Sequence, residues 1–301
     1  MDKKELFVFL YHEVVNNPTR FCVDYNLNVT PQLFRKQIEW IKKNFQIVSP
    51  KDLDNPSALP RKAALITFDD GFKGAFENGV TYLEKQGIPS IMFLNMGHII
   101  DKSPLISSMA IYFSRYSNIG FVNNKFSNSK EFHLTINPST YSEILKENPD
   151  YNYSKTLIYQ GELASIEMLH DFSKSKFLFY GNHLYYHWNS KTLTTDDFTS
   201  NFMKNQSSLL QFENYINLFS FPNGQPTTCF NDSHLTLLKS LGSKKTFYSS
   251  GGINLNSDSY LLNRMDLTEY EYNKLKLGIR ILNARISNKF VKKVASLARK
   301  F

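Results

Sequence analysis

The chain of 301 residues is 42% hydrophobic and 15% aromatic, enough for one large core and incompatible with long disorder. Its two cysteines, Cys22 and Cys229, exclude a disulfide framework and a cysteine-based zinc site, and they fit a reducing compartment. The net charge of +8 is concentrated at one end. Lys274 to Phe301 holds nine Lys/Arg and no Asp or Glu, which leaves the first 273 residues at −1 and argues against a nucleic-acid partner.

Read in chain order, apolar runs alternate with helical periods, the pattern of a parallel α/β sheet or barrel. Leu6–Leu10 reads as a buried strand; it is too short for a signal-peptide core, and no small-residue cleavage site follows. No stretch approaches the ~18 apolar residues of a spanning helix, so the protein is expected to be soluble and cytoplasmic unless something attaches it to a surface. Thr30-Pro31 should cap a helix with Phe34, Ile38 and Ile41 on one face. Ala63–Phe68 reads as a second strand, followed by a helix carrying Phe76, Val80 and Leu83 and stopping at Gly87. Strands are expected at Ile88–Leu94, Phe177–Tyr180, Leu218–Phe221 and Thr246–Tyr248, with helices over Thr195–Tyr215 and Asp232–Leu241. The segment of about 101–160, rich in Asn, Ser and Tyr, reads as an irregular insertion on one barrel face. The division is thus a barrel over 1–273 and a basic C-terminal segment over 274–301.

Two motifs carry chemistry. Thr67-Phe68-Asp69-Asp70-Gly71 closes the Ala63–Phe68 strand, and ligands of such folds sit at the carboxyl ends of strands. Adjacent carboxylates there need a cation or a proton to relieve them. Gly71 permits a sharp turn that aims both at the mouth; the alternative is an Asp-Asp-Gly turn capping the next helix. Gly181-Asn182-His183-Leu184-Tyr185-Tyr186-His187 also follows a strand, and its H-x3-H spacing puts both imidazoles on one face of a helical turn, as a zinc site requires. Together the motifs offer two histidines and one aspartate with open coordination positions. Tyr185, Tyr186 and Trp188 beside the histidines are candidates to stack on a ring of the ligand, while His98, His133, His170 and His234 are expected to have no catalytic part.

In these motifs the sequence resembles the polysaccharide deacetylases, the carbohydrate esterase family that includes chitin-oligosaccharide and peptidoglycan deacetylases. Thr67–Gly71 is similar to the family's first motif, Gly181–His187 to its second, and Phe221-Pro222-Asn223-Gly224 to a variant of its third. Tyr11-His12 and Leu262-Asn263-Arg264-Met265-Asp266 resemble members found with bacterial surface-polysaccharide genes. The resemblance implies a distorted (β/α)7-type barrel, with Asp70, His183 and His187 holding a divalent metal, usually Zn2+, and Asp69 as the base. Asn223 would supply a backbone N–H to the oxyanion. The third motif commonly opens with an arginine, but here Ser220 stands at that place; Arg264 is the substitute the resemblance suggests, against a plain surface ion pair. The usual C-terminal acid histidine is missing too. In permuted relatives, the exported poly-N-acetylglucosamine deacetylases, an N-terminal Tyr-His supplies it, which points to His12; the alternative is a core histidine bonded to backbone.

The activity implied is metal-dependent removal of an N-acetyl group from an amino sugar in a surface polysaccharide or its lipid-linked precursor. The rivals are another amide or imide hydrolysis on the same site (N-formyl sugar, cyclic ureide) and an inactive glycan-binding protein. The last expectation concerns 274–301. From Ile279 onward Leu282, Ile286, Phe290, Val294, Leu297 and Phe301 recur at helical steps among basic residues only, an amphipathic helix suited to peripheral contact with anionic lipid on the inner leaflet. The alternative is that this stripe packs on the barrel and its charges are solvated.

Overall fold

The computed structural model describes residues 4–116, 132–149, 151 and 153–298, with side chains through 286 except at 116. Eight parallel strands run in chain order as β1 (Glu5–Tyr11), β2 (Gln46–Ile47), β3 (Lys62–Asp69), β4 (Ser90–Leu94), β5 (Leu178–Asn182), β6 (Tyr215–Ser220), β7 (Lys245–Ser249) and β8 (Leu261–Asp266). From β2 to β8 each strand pairs with the next, and β1, which skips β2, closes the sheet by pairing with both β3 and β8. The result is a closed barrel of seven parallel strands. The two-residue β2 lies outside the ring, paired to the start of β3.

The strands are hydrophobic throughout because both of their faces are covered. Leu6, Val8, Ala63, Leu65, Ile91, Phe93, Phe179, Leu218, Phe247 and Leu262 fill the barrel interior. The alternate set, including Phe7, Phe9, Ala64, Ile66 and Phe68, packs outward against helices such as Pro31–Asn44, which buries Phe34, Ile38 and Ile41. That helix starts where Thr30 Oγ1 accepts from the Leu33 N–H and Pro31 occupies the first turn.

The period of two also fixes what reaches the mouth. Continuing the inward register along each strand places Leu10 and His12, Thr67 and Asp69, Gly181 and His183, Ser220, Ser249, and Arg264 and Asp266 at the carboxyl-terminal end of the barrel. The core below is tight there: a Cβ on Gly181 would stand 2.5 Å from the Phe93 ring.

Three expectations need correction. The segment of about 101–160 is not irregular where it is described: it forms the helices Ile106–Tyr116, Phe132–Thr135, Pro138–Glu147 and Ser154–Gln160. They are held by a satellite core of Met109, Phe113, Phe132, Ile136, Ile144 and Trp188, so tertiary burial overrides the turn-forming composition. The helix expected to run to Tyr215 ends at Leu209, and β6 takes Tyr215 instead. The helix after Asp70 buries Phe76, Val80 and Leu83, but its first stretch, Ala75–Val80, is π-wound.

The C-terminal helix Lys274–Ala298 docks on the barrel through Leu277, Ile281 and Ala284. Ile279, Leu282 and Ile286 of the expected stripe face outward. Its remaining members, Phe290, Val294, Leu297 and Phe301, lie outside the described side chains. No helix among the described residues is long and apolar enough to cross a membrane.

Candidate active site

At the end of β3 the inward register delivers Asp69, and the next residue would ordinarily point away. It does not, because Asp70 adopts a left-handed backbone (φ 70°) and Gly71 follows with φ 80°. Asp70 thereby turns its carboxylate back into the mouth beside Asp69, and both are buried. A non-glycine residue held in this conformation costs of order 1 kcal/mol, and such strain concentrates at functional sites.

His183 and His187 come from the loop after β5. The loop is not the helical turn that their spacing suggested: it is irregular, with Leu184 at φ 63°. Buried amides hold it instead. Asn182 Oδ1 accepts from the Leu184 N–H (2.9 Å), Asn95 Nδ2 donates to the carbonyls of His183 and Leu184, and Asn205 Nδ2 donates to Asn182 Oδ1 (2.8 Å). Gly97 donates its N–H to the Tyr185 carbonyl (2.8 Å), and a Cβ on Gly97 would meet that oxygen at 2.6 Å. His98 Nε2 accepts the His187 N–H at 3.1 Å.

These supports bring three ligand-type atoms together. His183 Nε2 lies 3.5 Å and His187 Nε2 3.3 Å from Asp70 Oδ1, and all three lie within 4.8 Å of one another. Tetrahedral zinc with bonds near ~2.0–2.1 Å separates its ligands by about 3.3–3.5 Å, so the three residues fit one divalent cation. The donor chemistry fits as well. His183 Nδ1 donates to the Ser220 carbonyl (2.7 Å), which fixes the tautomer with the Nε2 lone pair facing Asp70. Asp70 Oδ1 is buried with no hydrogen-bond donor among the described residues. Burial pushes His187 down to about 4 against the pull of Asp70, keeping its imidazole neutral and able to ligate.

Asp69 stands beside this group, not within it. Its carboxylate accepts from both terminal nitrogens of Arg264, at 2.7 and 2.6 Å, and Ser220 Oγ donates to it at 3.4 Å. Burial alone would raise the Asp69 pKa; the adjacent Arg264 charge and hydrogen bonds, with His183 and His12, outweigh it and hold the carboxyl below its usual range. Arg264 is itself buried on β8, with its guanidinium over the Phe93 ring. Arg264 on β8 thus reaches Asp69 on β3 across the intervening strand β1.

A cavity of about 340 Å³ opens above these groups. His12, half-buried at the end of β1, lines it, as does Asn223. Asn223 holds φ 60°, and its buried side-chain Nδ2 has no acceptor among the described residues. Phe21, Tyr25 and His133 wall the far side. Tyr185, Tyr186 and Trp188 do not reach this cavity: Tyr185 and Trp188 are buried in packing, and the Tyr186 hydroxyl donates to Asp101. Of the histidines expected to have no catalytic part, His133 walls the cavity and His98 supports the His187 loop.

No protein-family model matches the sequence, and no curated protein matches it. Solved structures do match. The Streptococcus pyogenes deacetylase PplD, in complex with acetate, aligns with a TM-score of 0.60 at 16% identity, over 88% of this chain and 93% of that one. IcaB from Ammonifex degensii gives 0.58 at 17% identity over 91% and 96% of the two chains. A de-N-acetylase from Aggregatibacter actinomycetemcomitans gives 0.59 at 14% identity over 92% and 100%. The fold of this chain is that of the polysaccharide deacetylases.

Proposed function

We propose that this chain is a metal-dependent hydrolase that removes the acetyl group from an N-acetylated amino sugar, in a surface polysaccharide or its lipid-linked precursor. The observation that carries this reading is the placement of two carboxylates in distinct environments. Asp70 faces two imidazoles with its Oδ1 free, while Asp69, alongside, is gripped by an arginine. A binding protein has no need of the second arrangement. The fold shared with deacetylases supports the same reading.

A divalent cation held by Asp70, His183 and His187 would supply Lewis acidity, lowering the pKa of a water toward ~7 and polarising the acetamide carbonyl. The chain's own groups do the rest. Asp69, kept ionised by Arg264, accepts the proton of the attacking water. Asn223 offers its backbone N–H to the developing oxyanion from a loop pinned in a left-handed turn. His12, on the cavity wall near both aspartates, protonates the departing amine. The walls of Phe21 and Tyr25 present apolar surface to a sugar ring.

Acetate release from a panel of N-acetylated amino sugars, measured before and after chelation and after return of zinc, tests the proposal. Release that falls on chelation and returns with metal is the expected result. Formate release, ureide cleavage or glycan binding without turnover would each replace this reading with another.

A further inference from the structure

The C-terminal helix divides its apolar residues between two faces. Leu277, Ile281 and Ala284 dock on the barrel, and the arginines of that side are tied down: Arg285 to Glu5 at 2.6 Å and Arg280 near Glu271 at 3.9 Å. On the opposite face Leu275, Ile279, Leu282 and Ile286 follow one another at steps of four, three and four and are 71%, 44%, 54% and 54% exposed. Four large aliphatic side chains in one exposed row exceed the scattered apolar residues of an ordinary surface.

The row does not end at the helix. Leu275 also lines a groove of about 460 Å³ against the helix Pro31–Asn44, with Trp40, Tyr272, Lys36 and Lys274 around it. Tyr272 is exposed and Trp40 half-buried. Lys36, Lys274 and Lys276 are exposed and form no ion pair among the described residues. The nearby acids are engaged elsewhere. Glu39 pairs with Lys42 and Tyr82, Glu269 accepts from the Thr30 N–H, and buried Glu271 caps Thr268. Aliphatic row, aromatic groove and unpaired lysines thus share one continuous face. The stretch from Lys274 to the end of the chain holds nine Lys/Arg and no acid.

We infer that this face is a docking surface for an anionic lipid bilayer. The aliphatic row supplies the area that sinks into the interface, Trp40 and Tyr272 suit the headgroup level, and the lysines complement anionic headgroups. A protein partner of equal size would be expected to meet both signs of unpaired charge, whereas the acids here are engaged and the unpaired charges are all positive. The inference stands apart from the reaction assigned above, and it can fail without affecting it.

Flotation of the full-length protein with vesicles of phosphatidylglycerol and phosphatidylcholine, or of phosphatidylcholine alone, tests it. The triple variant Leu275→Ser, Leu282→Ser, Ile286→Ser keeps the net charge and touches only exposed side chains. The full chain should bind the anionic vesicles, and the variant should partition at least about tenfold less while melting at the same temperature. The two tryptophans give a depth probe. Trp188 is buried, so brominated lipid should quench Trp40 alone, and Trp40→Phe should abolish the quenching. Equal partitioning of the triple variant would reduce the effect to adsorption by net charge and overturn the inference. A dimer in solution that the variant makes monomeric, with no vesicle binding by either, would assign the face to a second copy of the chain.

Discussion

Arg264 and Asp69, 195 residues apart, meet through two parallel hydrogen bonds of 2.7 and 2.6 Å with both side chains buried. The planar fork matches the carboxylate oxygens in a way that a lysine cannot. Arg264→Lys should therefore lower acetate release nearly as far as Arg264→Ala, by ~10²-fold or more. Losing the fork also removes what holds the Asp69 carboxyl below its usual range. That group then protonates at higher pH, so the acidic limb of kcat/KM should move upward in the lysine variant. Arg264→Ala should in addition cost about 3–5 kcal/mol of stability by stranding a buried charge. A lysine variant with an unshifted profile would leave Arg264 only a packing role.

The two aspartates should separate cleanly. Asp69→Asn keeps Asp70, His183 and His187 in place, so it should retain bound metal while turnover falls ~10²-fold or more. Asp70→Asn weakens the ligand set itself and should lose both. Metal analysis beside initial rates decides the matter, and equal loss of metal in the two variants would make Asp69 a ligand.

How much of this was legible in the sequence follows from periodicity. Strand register alone puts Asp69 on an inward position, and the DDG and H-x3-H motifs stand out against an apolar background; Arg264 is reached only through the resemblance, because its strand, Leu261–Asp266, carries too many polar residues to read as one. The shape of the His183–His187 loop was not legible, because H-x3-H spacing fits a helix as well as an irregular loop. Its actual geometry depends on Asn182 beside it and on Asn95 and Asn205, which are distant in sequence and carry no local signal. The helices of the insertion were hidden for a related reason: their apolar residues, Met109, Phe113, Phe132, Ile136 and Ile144, are scattered among Asn, Ser and Tyr and meet only in the fold, around Trp188.

His12 lines the cavity at the end of β1, where its charge acts on both Asp69 and Asp70. Removing the group that protonates the leaving amine should abolish the alkaline limb of the pH–rate profile. His12→Ala should do so while metal content stays unchanged. A variant with the parental profile would exclude His12 from proton transfer.

Glu13 makes a pH-dependent contribution to stability. It is buried beside the helix that follows Asp70 and accepts the Val14 N–H at 2.9 Å, and burial pushes its carboxyl up to about 7. A raised folded-state pKa means that the native state holds a proton which the unfolded chain has released above ~4.3. The associated stability is full below that value and is lost as the pH rises through about 7. Between pH 5 and 8 the wild-type melting temperature should therefore fall by a few degrees more than that of Glu13→Gln, about the scale of 1 kcal/mol in a chain this size. Parallel melting curves for the two proteins across that window would contradict the assignment.

His98 acts on the site without touching it. The only hydrogen that the His187 backbone offers is its N–H, so His98 Nε2, 3.1 Å away, must be the acceptor and therefore unprotonated. The proton then sits on Nδ1, which donates to Ser103 Oγ at 3.0 Å. Burial drives the imidazole down to about 3, so the tautomer persists throughout the working pH range. This neutral ring, edge-on to Tyr186, anchors the end of the loop that carries His187. His98→Ala should strand the His187 N–H and let the loop drift, weakening metal affinity by ~10–100-fold, as loss of a ligand's support generally does. His98→Gln can place its Oε1 near the old Nε2 position and should recover much of that loss, while a variant that merely fills space, His98→Leu, should not. Competition with a calibrated chelator measures all three. Equal metal affinity in the alanine and parental proteins would show that Asn95 and Gly97 hold the loop without His98.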